Sequence, residues 1–367
     1  MRSVILPSLL GEVAGEPDGG AAAPAASCRS PLHHAFGAVP LPETSSGRMC
    51  VRTSFISPVR PRREGRLRRA PLVATARGMA ASLTGVRVQL DPLVARVLAP
   101  NPSPYTFTGT QTHLVGRGAL AVIDPGPDDP AHLDALRRAI DGRPVSAILV
   151  THHHRDHSPA TRPLAALTGA PIVGAAPLHH RDEDGPEGAR ADAAFDADYA
   201  PDRVLADGEA VEGEGWTLRA LATPGHTSNH LAFALEGTGA LFSGDHVMGW
   251  STTVVSPPDG DMTAYMNSLE RLLDREDRVY YPGHGDRVDN PRRFVRGLLG
   301  HRKQREGQIL RLLRREPHAA SALMPQMYAG LDPRLLPAAE RSILAHLIDL
   351  RGRDLVVEDG GVWRLAR

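Results

Sequence analysis

Cysteine is almost missing from this 367-residue chain: Cys28 and Cys50 are the only two, and both precede residue 79. The remainder therefore has neither a disulfide framework nor thiolate metal ligands, and any metal there must be held by histidine and carboxylate. Long apolar runs are missing too. No stretch approaches the roughly 18 residues needed to cross a membrane, and residues 4–10 are too short for a signal-peptide core. The expectation is a soluble, cytoplasmic protein with no membrane partner. Aromatic residues make up only 4 % of the chain, and after Phe294 only Tyr328 and Trp363 remain. Few platforms are left on which unpaired bases could stack. Lys303 is the lone lysine, every other long cationic side chain being arginine, a bias expected of a GC-rich genome rather than of a chemical requirement.

Net charge is absent as well, since 42 basic and 42 acidic residues cancel. Along the chain they do not. Residues 1–78 hold 11 arginines and 5 acids, residues 79–290 hold 16 basic and 29 acidic groups, and residues 291–367 hold 15 basic and 8 acidic groups. The acidic middle tells against broad phosphate binding by the catalytic part. The basic C-terminal segment could hold a polyanion or simply present a solvated arginine-rich helix face.

The length suffices for two domains, since single cores stop growing beyond about 250 residues. Residues 1–78 are rich in Ala, Pro, Gly, Ser and Arg without a helical or strand period, a composition too polar to bury a core. They are expected to be a disordered or spurious extension. Three origins stay open: a start placed upstream of the true one at Met79, a genuine tail, or an organelle transit peptide, which Glu12, Glu16 and Asp18 fit badly.

From residue 86 short apolar strands alternate with helical periods, the pattern of helices layered on sheet. Strands are expected at 112–116, 119–124, 145–150, 216–222, 230–235, 240–243 and 279–281, with helices at 129–140 and 262–273. Residues 79–290 thus form one domain, with two βαβ-like halves. Beyond Pro291, residues 292–315 carry Phe294, Leu298, Ile309, Leu312 and Leu313 at amphipathic helical spacing. Helices near 319–328 and 335–350 and two strands about Glu358-Asp-Gly-Gly361 complete a winged-helix module over 291–367. Residues 335–350 carry only Arg341 and His346 as basic groups against Glu340 and Asp349, too little for reading DNA. They are taken as a packing or dimerisation element, which leaves a homodimer open.

The chemistry lies in Thr151-His-His-His-Arg-Asp-His157. Its His152-x-His154-x-Asp156-His157 places four metal ligands within six residues, just past the expected strand 145–150. Pro224-Gly-His226, Gly244-Asp245 and Pro282-Gly-His284 each add one ligand at a strand end, beside a glycine that permits a tight turn. Imidazole and carboxylate suit zinc, iron and manganese. Two divalent ions about 3.5 to 4 Å apart can share one hydroxide and polarise the bond under attack.

This order and spacing resembles the metallo-β-lactamase superfamily, which implies an αββα sandwich with the metals at one edge of the paired sheets. The resemblance implies that His152, His154 and His226 hold one zinc, that Asp156, His157 and His284 hold the other, and that Asp245 bridges them. Two zinc ions per chain are expected, with manganese or iron as alternatives, and Asp156 doubles as the group that accepts a hydrogen bond from the bridging hydroxide. His153 falls at the variable position of the H-x-H step, and His246 is expected to be structural. Asp124, in Ile123-Asp-Pro-Gly126, would cap a turn or support the site from behind. Gly109-Thr-Gln-Thr-His113, Thr223-Pro-Gly-His-Thr227, Tyr265-Met-Asn-Ser-Leu269, Tyr281-Pro-Gly-His-Gly285 and His301-Arg-Lys-Gln-Arg-Glu306 are similar to the β-lactamase-like protein 2 family, over roughly residues 86–365. That family adds the C-terminal winged helix. Its usual Gly-Thr-Asn-Thr-Tyr is altered here to Gly109-Thr-Gln-Thr-His113, a departure expected to touch the substrate side of the pocket.

The resemblance implies a single-strand endoribonuclease-type phosphodiesterase, with single-stranded RNA as substrate. The competing reading is a glyoxalase II-like hydrolase of a small-molecule thioester, ester or lactone, with Arg292, Arg293 or Arg296 near the metals. Retention of all seven ligand positions argues against a single-iron dioxygenase, and a mere metal store would need no bridging aspartate. Deleting residues 1–78 should leave activity and melting temperature nearly unchanged. Calorimetry of the truncated chain checks this, and a loss above about 2 kcal/mol, large against total stability, would reveal a packed role.

Overall fold

The computed structural model describes residues 83–178 and 194–366, which lie in one compact unit. The expectations for residues 1–78, with both cysteines, fall outside the described residues. Strands β1 (Arg87–Asp91), β2 (Val94–Leu98), β3 (Gln111–Val115), β4 (Leu120–Ile123), β5 (Val145–Val150), β6 (Ile172–Gly174) and β7 (Arg203–Val204) form a seven-stranded sheet in that order. It is antiparallel through β4 and parallel from there on. The first two parallel steps, β4 to β5 and β5 to β6, are bridged by helices α1 (Pro130–Ile140) and α2 (Thr161–Thr168). The second sheet runs β12-β11-β10-β9-β8, built from β8 (Ala210–Gly213), β9 (Trp216–Ala222), β10 (Leu231–Leu235), β11 (Ala240–Gly244) and β12 (Val279–Pro282). Helix α3 (Met262–Leu273) joins β11 to the parallel β12.

Strand periodicity sets the layers. In β4, Ala121 and Ile123 enter the core between the sheets, while Leu120 and Val122 pack outward beneath Leu136 and Ile140 of α1. In the second sheet Phe233 and Phe242 point inward, and Ala232 and Leu241 point outward toward Tyr265 and Leu269 of α3. Strands covered on both faces must be largely apolar, which is why β4 is apolar throughout and β5 departs from it only at Ser146. The result is helix, sheet, sheet, helix. Helix starts follow their caps: Asp129 accepts from the His132 amide and precedes Pro130, and Asp261 accepts from the Ala264 amide.

Helix α4 (Pro291–Leu313) belongs to two cores. Val295, Leu298 and Leu299 pack on the outer face of the second sheet, whereas Ile309 and Leu313 pack with Leu323, Ile343, Leu347, Val356 and Trp363. That second cluster joins α5 (Ala320–Met327), α6 (Leu336–Gly352) and a small sheet in the order β13-β15-β14, from β13 (His318–Ala319), β14 (Val356–Asp359) and β15 (Val362–Leu365). The C-terminal region is therefore a winged helix. Within α6 Ile343, Leu347 and Leu350 are buried, Pro337, Arg351 and Gly352 are exposed, and residues such as Glu340, Leu344 and Ile348 are half-buried.

Candidate metal centre

The seven candidate ligands sit just past strand ends on one edge of the sandwich. The β5 end delivers Thr151 to His157, the β9 end delivers His226, and the parallel ends of β11 and β12, paired at Gly244 and Pro282, deliver Asp245 and His284 side by side. Two glycines permit the crowding. At Gly225, with φ +137°, an added Cβ would collide with the Tyr265 backbone, and at Gly283 it would collide with the His157 ring and the Asp245 carboxylate.

The donor atoms form two groups. Those of His152, His154 and His226 lie within 4.8 Å of one another, and so do those of Asp156, His157, Asp245 and His284. Asp245 reaches both groups, its oxygens standing 3.5 Å from His157 Nε2, 3.3 Å from His284 Nε2 and 3.8 Å from His226 Nε2. His284 Nε2 also lies 3.0 Å from Asp156 Oδ2.

Neighbouring hydrogen bonds assign the ring protons. Asp124 accepts from the Thr151 amide and hydroxyl, both at 2.8 Å, so the Thr151 oxygen is left to accept from His152 Nδ1 at 3.0 Å. Asp124 also accepts from His157 Nδ1 at 3.0 Å. His226 Nδ1 donates to the Val254 carbonyl at 2.7 Å, and His284 Nδ1 to the Gly109 carbonyl at 3.3 Å. All four rings therefore turn an Nε2 lone pair inward. His154 Nδ1 meets His152 Nε2 at 3.0 Å and His226 Nε2 at 3.2 Å. Three imidazole lone pairs would repel at that range. Nitrogens sharing one tetrahedral ion at zinc distances stand about 3.3 Å apart, so the donor set fits a metal.

Electrostatics agree. Burial and then the neighbouring imidazoles push His152 and His154 well below the ordinary histidine value. Burial also opposes protons on His157 and His284, but Asp156 and Asp245 outweigh it and raise both, His284 to about 9. Burial would likewise raise Asp156 and Asp245, yet the same two histidines hold them well below the carboxylate range. The second group thus demands positive charge beside its carboxylates, a demand that a divalent cation meets by displacing protons. Asp245 Oδ1 is buried without a hydrogen-bond partner.

Several side chains that brace the site escape a motif search. His230 Nδ1 lies 2.8 Å from the Thr223 hydroxyl while its Nε2 accepts from the Asp245 amide at 3.2 Å, so it fixes the backbone of the shared carboxylate. Its signal was present, a histidine opening a strand four residues after His226. Thr110 approaches Asp156 Oδ2 at 3.5 Å. His153 packs on Phe195 with Asn229 at its Nδ1, and His246 is buried against Tyr265, burial pushing it down to about 3; neither joins a ligand group. Two expectations are corrected. His113 does not reach the pocket: it is buried in the core beside Phe242 and Tyr281, neutral because burial lowers it to about 3. Arg292, Arg293 and Arg296 are exposed on α4 and line no part of the cavity over the metals, because α4 turns its Arg302 face inward instead.

That cavity, about 600 Å³, opens directly on His154, Asp156, His226, Asp245 and His284. Tyr105, Met248, Trp250 and Val254 wall one side, and Tyr328, Leu331, Leu335, Pro337 and Ala339 of the C-terminal region wall the other. The Tyr105 hydroxyl donates to the Arg334 carbonyl at 3.1 Å, and Arg341 donates to the Pro257 carbonyl and, at 3.2 Å, to Ser256. These bonds hold the winged helix across the site.

Comparison with known proteins places this architecture. The model for the metallo-β-lactamase superfamily matches residues 105–284, and that for the β-lactamase-associated winged helix domain matches residues 319–363. A β-lactamase-like protein 2 homolog of Drosophila melanogaster is 32 % identical over 275 residues, covering 71 % of this chain and 89 % of its own. An atrochrysone carboxyl ACP thioesterase of Aspergillus fumigatus is 32 % identical over 227 residues, covering 60 % of this chain and 65 % of its own. Among solved structures, a metallo-β-lactamase family protein from Thermus thermophilus superposes with a TM-score of 0.61 at 27 % identity, over 76 % of this chain and 100 % of its own. The chain belongs to the metallo-β-lactamase superfamily, in the group that carries the winged helix, and is a metal-dependent hydrolase with a His/Asp site. Relatives named β-lactamase-like protein 2 share about a third of its aligned residues.

With metal occupancy verified, Asp124→Asn should lower turnover by about 10- to 100-fold through loss of its grip on His157 and Thr151, and Asp156→Asn should lower it further. Steady-state kinetics of both variants decide the matter. Near-normal turnover in Asp156→Asn beside a dead Asp124→Asn would reverse the assignment.

Proposed function

We propose that the protein hydrolyses a carbonyl ester or thioester with a bulky apolar acyl part. The observation that carries this reading is the cavity over the metal groups: half open to solvent, walled largely by apolar side chains, and bounded on one side by the protein's own C-terminal region. An apolar pocket with a few placed polar groups recognises a small molecule. A track for single-stranded RNA would instead need an open basic groove with exposed rings. Trp363 is buried in the winged-helix core, α6 is partly buried, and among the described residues lining the cavity Tyr105, 45 % exposed, is the one exposed ring. The thioesterase named among the relatives supports the same choice.

In this reading His152, His154 and His226 would hold one ion and Asp156, His157 and His284 the other, with the Asp245 carboxylate within reach of both groups. Zinc suits these donors, with manganese or iron as alternatives. Two such ions lower the pKa of water and polarise a carbonyl oxygen. Asp156, whose side chain is 26 % exposed at the cavity floor, accepts the hydrogen bond that orients the attacking water, with Thr110 steadying its carboxylate. The apolar walls align the acyl group.

Zinc- or manganese-loaded protein offered a hydrophobic acyl thioester, lactoylglutathione, a simple phosphodiester and single-stranded RNA should prefer the acyl thioester by about 100-fold or more in kcat/KM. Faster cleavage of RNA than of every carbonyl substrate would overturn the proposal.

A further inference from the structure

One wall of the cavity carries a cation that the chemistry above does not use. Arg302, on α4, lines the cavity yet is only 3 % exposed. One terminal nitrogen donates to the Thr253 carbonyl at 2.6 Å, the guanidinium carbon lies 5.1 Å from the Tyr265 ring centroid, and the guanidinium also interacts with the Tyr265 hydroxyl. Its Nε is buried with no hydrogen-bond partner. Among the described residues no carboxylate lies within ion-pair distance of it. Glu306 on α4 and Asp349 on α6 are engaged by Arg353 instead, at 2.6 and 2.7 Å.

His301 stands beside it on the same wall. Its Nε2 accepts from Arg305 Nε at 3.3 Å, so its proton sits on Nδ1, and that Nδ1 is buried without a partner. Burial first, then Arg302 and Arg305, push this ring down to about 3, so it stays a neutral donor. His346 of α6, also buried, is pushed well below the usual value by burial and then by Arg302. A buried guanidinium without a counter-ion is costly, and an unsatisfied buried donor in a native protein calls for a partner from outside the chain, an ordered water or an anion. The site is also near the chemistry: the Thr253 hydroxyl lies 3.2 Å from Nδ1 of His226, so Arg302 stands one residue behind a metal-group histidine.

We propose that Arg302 and the Nδ1–H of His301 form an anion subsite, so that the preferred substrate carries a carboxylate or phosphate besides its scissile bond. The scissile bond rests on the carbonyl-hydrolase reading; the subsite does not. The metal groups take the bond that breaks, the apolar walls take the intervening chain, and the subsite takes the anionic end.

The test compares substrates matched in length and thiol: a hexanoyl thioester, its adipoyl counterpart ending in carboxylate, and a counterpart ending in phosphonate. Metal-loaded wild type should prefer one anionic member by about 10- to 100-fold in kcat/KM, the worth of a charge-assisted hydrogen bond. The better anion tells whether carboxylate or phosphate is the natural group. In Arg302→Met, confirmed folded by its melting transition, the ratio should collapse toward one, Arg302→Lys should keep part of it, and His301→Phe should reduce it. Wild type without preference, or an Arg302→Met that loses activity on all members by one common factor, would show that Arg302 only braces Thr253 and would overturn the subsite. Should wild type cleave no thioester, adipate and inorganic phosphate titrated calorimetrically into wild type and Arg302→Met still decide. Binding lost with the arginine upholds the subsite while the carbonyl reading fails, and no binding removes both.

Discussion

Everything at the sandwich edge turns on the carboxylate of Asp245, which stands within 3.8 Å of imidazoles from both donor groups. Burying that carboxylate beside Asp156 is unfavourable unless positive charge is supplied. The structure meets this cost by geometry. The parallel ends of β11 and β12 bring Asp245 and His284 together, the loop after β5 brings His157 and Asp156, and Asp124 behind them fixes the rings. His230 ties the Asp245 backbone from the far side. Rigid orientation of lone pairs by such outer contacts is what separates a metal site from a cluster of histidines.

The winged helix has a place in this account that its fold alone would not suggest. Such modules can read nucleic acid by offering a helix to a groove, but here the start of α6 lines the cavity over the metals. Helix α4 couples the two parts, with Val295 and Leu298 anchored on the hydrolase sheet, Ile309 and Leu313 in the winged-helix core, and His301 and Arg302 facing the cavity between them. A change in the C-terminal region therefore changes the substrate pocket directly.

Much of this was legible in the sequence. The apolar run at 145–150 and the alternation at 216–222 coincide with β5 and β9, because strands buried against a core carry their pattern openly. The seven candidate ligands were legible because histidine and aspartate beside glycine at strand ends have few other uses. Strands β1, β2, β6, β7 and β8 escaped: β6 has three residues, β7 has two exposed ones, β1 and β8 are partly exposed, and the buried five-residue β2 shows no alternation to read. Helix α2 escaped because it has only eight residues and no side-chain cap. The cavity wall was the least legible part. Arg302 and Arg341 look like members of a basic segment until the fold turns them inward, while Arg292, Arg293 and Arg296 stay outside. The alteration at His113 lies in the sheet interior, since β3 directs that side chain toward Phe242.

The central claim is that two ions share one carboxylate, and metal content tests it most directly. Wild type reconstituted with excess zinc, then freed of loose metal, should contain two ions per chain by elemental analysis, and folded Asp245→Ala should hold no more than one. Wild type that saturates at one ion, or Asp245→Ala that retains two, would contradict the account.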